Sequence, residues 1–501
     1  MAGENVRTNR PGHTPSGPLQ YTPPSHPHHP DGISQGPAVE HPMADLYVEP
    51  GSSTSPSKGL WWKELNRYHW FVLIVAALGW LFDCLDQQLF LLARAPAMAD
   101  LLKPGQDPNE YGGYATAIFV LGWATGGLIF GSLGDRIGRA KTMVITILIY
   151  SACTGLSAFS RGFADFAFYR FLTGLGVGGE FAVGVALVAE VMPDRARPHA
   201  LGLLQALSAV GNVAAALIEM SLSTLERSGG LQGSLDKWRL MFLVGALPAL
   251  LALLVRWKLK EPERWQKMKS DSSSSSRPIG SYSALLSNPR WRKNALIGLV
   301  MACTGVIALW GIVFFVFDLV GSVMRKELTA QGLTGGDLNG AVGQWKGTAS
   351  LMLNIGAFSG MLAFTSFTQR TNRRTAFAVA FVGAMITTAL TFWLLRDPWH
   401  IYVLVPLMGF FMLGIFGGYA IYFPELFPTS LRSTGTSFCY NVGRFLAASG
   451  PWTIGLLSSR VFGDTDEPLR YAGLAMCSVF VVGLLALPFA PETKGQPLPE
   501  D

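Results

Sequence analysis

Phe71-Val-Leu-Ile-Val-Ala-Ala-Leu-Gly-Trp-Leu-Phe82 contains no charged residue and no proline. With its neighbours it forms an apolar run over 70–93 whose only charges are Asp83 and Asp86. A helix needs about 20 mostly apolar residues to cross a hydrocarbon core roughly 30 Å thick, so this run reads as a membrane-spanning helix. Trp238 to Val255 is a second of the same kind, with Arg239 as its one charge. Working outward, spans are expected over 70–93, 111–133, 142–160, 164–190, 199–222 and 238–257. After a longer loop come 294–323, 347–367, 375–395, 401–425, 433–459 and 470–489. The fold class expected is all-α and integral to the membrane, with twelve transmembrane helices in two pseudo-symmetric six-helix bundles.

Composition agrees. Of 501 residues, half are hydrophobic and 14% are charged, too few charges for the surfaces of two or three soluble domains. Glycine is abundant inside the apolar blocks, where membrane helices approach closely. The net charge of +6 does not point to nucleic acid, because Lys and Arg sit in short loops between spans. Cys84, Cys153, Cys303, Cys439 and Cys477 all fall in apolar segments, which argues against a disulfide framework.

Residues 1–58 are rich in Pro, Gly, Ser and His and read as a disordered tail without the apolar core of a signal peptide. Its Ser25-His-Pro-His-His-Pro30 stretch is read as scattered histidines, and no metal site is assigned. Residues 59–257 make the first bundle, 258–293 a linker loop with the Ser272–Ser276 run, 294–490 the second bundle, and 491–501 a short tail. Lys and Arg, dense in the linker, place the linker and both termini in the cytoplasm by the positive-inside rule.

The halves echo each other. Ala189-Glu-Val-Met-Pro-Asp-Arg195 follows span four and Pro424-Glu-Leu-Phe-Pro-Thr-Ser-Leu-Arg432 follows span ten. Gly131-Ser-Leu-Gly-Asp-Arg-Ile-Gly-Arg139 follows span two, and the matching place after span eight reads Gln369-Arg-Thr-Asn-Arg-Arg374. Span six leads to Glu261-Pro-Glu-Arg-Trp265 and span twelve to Pro491-Glu-Thr-Lys-Gly495. Repeated halves are how many secondary transporters are built, with the solute site at their interface.

Gly131 to Arg139 resembles the signature loop of the major facilitator superfamily, and Arg170-Phe-Leu-Thr-Gly-Leu-Gly-Val-Gly-Gly179 resembles its fourth-helix motif. Glu190, Pro193 and Arg195, Glu261 to Trp265, and Pro491 to Gly495 resemble its sugar-porter and metabolite–proton symporter branches. His69-Trp70 and the Asp83-Cys-Leu-Asp86 pair look most like bacterial sialic-acid and aromatic-acid proton symporters. The resemblance covers about residues 60–498. It implies alternating access, a bacterial inner-membrane location, a functional monomer and a proton acceptor on helix one tuned by the helix-four arginine. The second-half loop departs from the pattern at Gln369 and Asn372.

An ionisable group within a span is costly and faces the bundle interior or a cavity. Asp83 and Asp86 share one helix face. At ~1.5 Å per residue, Asp86 lies about 24 Å from the cytoplasmic end and Arg170 about 9 Å below the outer end of its helix, so the two reach similar depth and can pair. The bland alternative is a static salt bridge. Glu180 is a second protonation candidate or a packing acid. Arg444 falls near the midplane, where a guanidinium suits an anionic solute or neutralises Asp83 or Glu180. Asn212, Asn354, Trp310, Tyr419 and Tyr440 are candidate cavity groups; Glu219 and Asp318 read as a solvated rim. Gly174 and Gly178 form a small-residue packing face rather than a phosphate loop. Gly131, Asp135, Arg136, Gly138 and Arg139, with Glu190, Arg195, Glu425 and Arg432, form a candidate cytoplasmic gate, or anchors of topology.

No catalytic triad, metal-ligand cluster, cofactor motif or nucleotide loop is present, so neither an enzyme nor an ATP-driven pump is expected. The leading expectation is a secondary transporter coupling protons to a small organic or sugar acid. A facilitative sugar uniporter and a non-transporting nutrient sensor are the alternatives.

Overall fold

The computed structural model describes residues 60–106, 108–227, 236–247, 259–274, 279–447, 453–454 and 456–500. The expected disordered tail therefore lies outside the described residues. From Gly59 onward the chain forms one compact unit, and its described residues contain helices and no strand. The first half comprises α1 (Arg67–Leu101), α2 (Pro108–Ile137), α3 (Arg139–Ser157), α4 (Phe163–Val191), α5 (Arg197–Arg227) and α6 (Lys237–Val244). The second comprises α7 (Pro289–Ala330), α8 (Gly335–Arg370), α9 (Arg373–Leu394), α10 (Pro398–Glu425), α11 (Arg432–Ala447) and α12 (Pro468–Phe489). Ten of these are long and apolar enough to cross a membrane. The sixth and eleventh expected spans fall partly outside the described residues. Between the halves, the segment expected to be a loop contains two short helices, Glu263–Ser274 and Tyr282–Ser287.

Helix starts follow local chemistry. Asn66 opens α1 by accepting from the His69 backbone N–H at 2.8 Å, while His69 Nδ1 accepts from the Asn66 N–H at 3.3 Å. Asn288 accepts from the Arg290 N–H at 2.9 Å, with Pro289 in the first turn of α7. Such caps satisfy backbone donors that the helix leaves orphaned. A five-residue π turn, Leu309–Val313, interrupts α7.

The same helix pairing recurs in each half. A methyl at Gly174 or Gly178 of α4 would collide with the Phe119 or Trp123 carbonyl of α2. A methyl at Gly356 or Gly360 of α8 would collide with the Pro406 or Phe410 carbonyl of α10. These glycines bring backbones into contact, where dispersion replaces the hydrophobic drive that lipid cannot supply. The small-residue reading of the α4 glycines thus holds.

Candidate functional site

Four groups of charges sit between or within the halves. The first is the loop joining α2 to α3. Gly138 caps α3 with φ of +116°, a conformation that favours glycine. A side chain there would also strike the Glu261 carboxylate. That carboxylate accepts from the Ala140 and Lys141 N–H groups at 3.2 and 3.1 Å. Arg139, fully buried, binds Glu190 through Nε at 3.1 Å and Nη2 at 2.8 Å, and meets Asp135 at 2.9 Å.

This cluster crosses to the second half. Asp135 accepts from the Ser433 and Thr434 N–H groups, at 3.2 and 2.8 Å, and from the Thr434 hydroxyl at 2.6 Å. These donors stand in the first turn of α11, where an anion is favoured. Arg432 donates to Glu190 at 2.8 Å, and Arg139 donates to the Thr429 carbonyl at 2.7 Å. Gly131 lets α2 approach Ser437, whose hydroxyl bonds the Gly127 carbonyl.

Three of the expected gate residues sit elsewhere. Arg195 is 44% exposed at its side chain and pairs with Glu64 at 2.8 Å. Arg197 holds the buried place instead, donating to the Ala189 carbonyl at 2.8 Å. The reason is register: Arg197 follows Glu190 by the same interval as Arg432 follows Glu425, and Arg432 donates to the Pro424 carbonyl at 3.2 Å. Arg136 is exposed and holds the linker through the Ile279 carbonyl at 3.3 Å. Glu425 stays within its own half, bound by Arg373 at 2.8 and 3.0 Å and by Thr493 at 2.5 Å.

The second group lies inside the first half. Asp86 Oδ1 accepts from Thr154 at 2.7 Å, and Oδ2 stands 3.7 Å from Arg170 Nη1. Both side chains are fully buried. Arg170 donates Nε and Nη2 to the Ser157 hydroxyl at 3.1 and 2.8 Å and lies 4.7 Å from the Phe242 ring centroid. The depth arithmetic therefore placed this pair. Thr154 and Ser157, which hold its outer oxygens and nitrogens, went unread; α3 carries them without any charge to mark them.

The third group is Asp83 and Glu180, each about 1% exposed. None of their four carboxyl oxygens has a hydrogen-bond partner among the described residues. Gly79, one turn earlier on α1, makes room: a methyl there would hit the Glu180 carboxyl.

The fourth group is Arg444 on α11. It is 5% exposed, bonds Asn441 Oδ1 at 2.5 Å, and lies 4.1 Å from the Trp123 ring and 4.9 Å from the Tyr440 ring. Among the described residues no carboxylate lies within the 4 Å of an ion pair with it. Tyr440 packs on Phe181 of the first half at 4.9 Å. Asn212 donates to Asn354 Oδ1 at 3.0 Å, joining α5 to α8. Tyr419 spends its hydroxyl on the Met301 carbonyl inside an aromatic cluster. Trp310 lies half-buried on the π turn of α7. Glu219 and Asp318 pair with Lys237 and Lys346 at 3.3 and 3.1 Å in partly exposed places, as a rim would.

Among the described residues, the ion pairs Arg239–Asp100, Lys237–Glu219, Lys346–Asp318 and Arg396–Glu467, at the end opposite the Arg139 loop, each lie within one half. Two repeated helical halves joined at one end around buried charges define a membrane transporter, not an enzyme. The chain belongs to the Major Facilitator Superfamily, whose family model matches residues 70–451. It is 30% identical over 440 residues to a Haemophilus influenzae protein named for metabolite transport, covering 87% of this chain and 99% of that one. It is 29% identical over 399 residues to the cis,cis-muconate transport protein of Acinetobacter baylyi, covering 79% and 89%. The proton:xylose symporter XylE, solved with 6-bromo-6-deoxy-D-glucose, superposes with a TM-score of 0.69 at 17% identity, covering 86% of this chain and 98% of that one.

Proposed function

We propose that this transporter couples proton entry to uptake of a small organic anion by alternating access. The observation that carries the proposal is Arg444: a buried cation between the halves with no carboxylate in ion-pair contact among the described residues. A guanidinium left so is completed by a carboxylate solute, which it binds through two parallel bonds. The names of relatives, muconate among them, support this solute class.

Asp86 is the proton acceptor in this reading, and Arg170 the cation that tunes it. A proton on Asp86 weakens its attraction to Arg170 and frees the guanidinium to move. Asp83 and Glu180 are a second station, because buried carboxyls with no hydrogen-bond donor among the described residues are relieved by taking up a proton. Asn212, Asn354 and Tyr440 line the solute path. The Asp135–Arg139–Glu190–Arg432 cluster is the cytoplasmic gate that must open to release solute. Both termini are cytoplasmic, and the protein works as a monomer in a bacterial inner membrane.

The test is reconstitution in weakly buffered liposomes with a trapped pH dye. Adding muconate should acidify the interior with wild type and not with Asp86→Asn. Arg444→Lys should raise the solute KM by roughly ten- to a hundredfold, since one of two bonds is lost. Solute entry without acidification, equal in wild type and Asp86→Asn, would sink coupling and leave a uniporter whose α1 acids are structural.

A further inference from the structure

A cavity of about 790 Å³ opens at the gate end of the second half, between the start of α7 and the tail after α12. Arg290, Lys293 and Arg374 line it. Its acids are largely spent: Glu425 is bound by Arg373 and Thr493, and Glu492 accepts from the Arg373 and Arg374 N–H groups at 3.0 and 3.2 Å. Glu500, at the end of the tail, is the remaining one. Among the described residues the Arg290 side chain meets the Trp291 ring, at 4.7 Å, and makes no ion pair, and Lys293 is exposed with no ion pair either.

A second, more open cavity of about 330 Å³ adjoins it, sharing Lys293 and Phe489 and adding Arg292 and Leu296. Phe489 is 65% exposed and Leu296 49% exposed. Above them on α12, Leu485 is also 67% exposed. Cations at a helix end, next to bare apolar side chains facing the hydrocarbon, match an amphiphile with an anionic head and acyl tails. A free anion would not need the apolar wall.

We propose that the α7–α12 cleft binds an anionic phospholipid, its phosphate held by Arg290, Lys293 and Arg292 and its chains laid on Leu296 and Phe489. Basic pockets between transmembrane helices hold anionic head groups in this way. The site is separate from the solute path and does not depend on the coupling proposed above.

Native mass spectrometry of the full chain in detergent, with equal amounts of phosphatidylglycerol and phosphatidylcholine, tests this. Wild type should retain phosphatidylglycerol preferentially. Each basic residue contributes about fivefold in retention, so Arg290→Gln with Lys293→Gln should lower it on the order of 25-fold, to the phosphatidylcholine level. Both residues are exposed, so the fold is unaffected; Lys326→Gln at the opposite end should leave the preference intact. Equal retention of the two lipids by wild type, an undiminished preference in the double variant, or displacement of the lipid by inorganic phosphate would overturn the proposal.

Discussion

The α2–α3 and α8–α9 loops are the same device built twice, and only one of them reaches across the molecule. In the first, Arg139 holds Glu190 at 2.8 and 3.1 Å, and Glu261 accepts the N–H groups opening α3. In the second, Arg373 holds Glu425 at 2.8 and 3.0 Å, and Glu492 accepts the N–H groups opening α9. The braces within each half are thus nearly superposable in their bonding. The bonds between halves are not. Asp135 takes two backbone N–H groups of α11; Gln369 stands in its mirrored place, and its Nε2 is buried without a partner among the described residues. The residue mirrored to Ser433 is Pro198, which has no N–H to give. Arg432 reaches Glu190 in the other half, whereas Arg197 turns to Asp194 in its own. Intra-half bracing survives in both copies because each loop needs it to turn a helix.

The strongest way to break this contrast is Asp135→Ala. It strands two backbone donors and leaves Arg139 and Arg432 against a single acid, Glu190. Removing one member of a buried charge network costs about 3–5 kcal/mol, and here the cost falls on the bonds that join the halves. Spin labels at the exposed positions Lys141 and Arg370 should move apart in distance measurements. An unchanged distribution would show the latch idle.

Arg139→Ala and Arg373→Ala should each lower thermal stability, by a comparable ~3–5 kcal/mol, because each removes the two-bonded guanidinium partner of a buried glutamate, leaving Glu190 with Arg432 and Glu425 with Thr493. Only Arg139→Ala should lengthen the labelled distance. Equal lengthening in both would refute the asymmetry.

Smaller effects sharpen the comparison. Gly138→Ala forces a methyl into positive φ and against Glu261, costing ~1–3 kcal/mol. Its counterpart Asn372 caps α9 through the Thr375 N–H at 2.7 Å, so Asn372→Ala should cost about 1 kcal/mol and Asn372→Gly a few tenths. Thermal unfolding separates the two. Gln369→Leu should be neutral or slightly stabilising, since it removes a buried amide donor with no partner; a loss above ~2 kcal/mol would reveal a bond the structure does not contain.

The smallest effect is in pH. Burial of Glu492 acts to raise its pKa, but the N–H groups of Arg373, Lys494 and Arg374 outweigh it and hold the carboxyl below its ordinary value. A depressed carboxylate stabilises the fold above its unfolded pKa of about 4.3 and loses that contribution as pH falls through the folded value. Acid unfolding below about pH 4 should therefore weaken in its pH dependence in Glu492→Gln.

Spans, their number and the repeated halves were legible because a bilayer imposes one length and one polarity on every crossing segment. The Asp86–Arg170 pair was legible because helical rise converts sequence distance into depth. Arg197 was readable too, by counting seven residues from each glutamate; reading the first arginine after the proline led to Arg195 instead. The identity of each cross-half partner was not readable. Asp135 and Gln369 occupy the same sequence position in their loops, and what separates their roles is whether the facing helix offers free N–H groups. Likewise, that Tyr419 spends its hydroxyl on Met301 while Arg444 makes no ion pair among the described residues depends on which helices face each other. Apolar length and periodic motifs are properties of one segment, so the sequence by itself determined a membrane-spanning, two-fold repeated transporter. Which charge meets which is a property of two segments brought together by packing, and only the tertiary structure decided it.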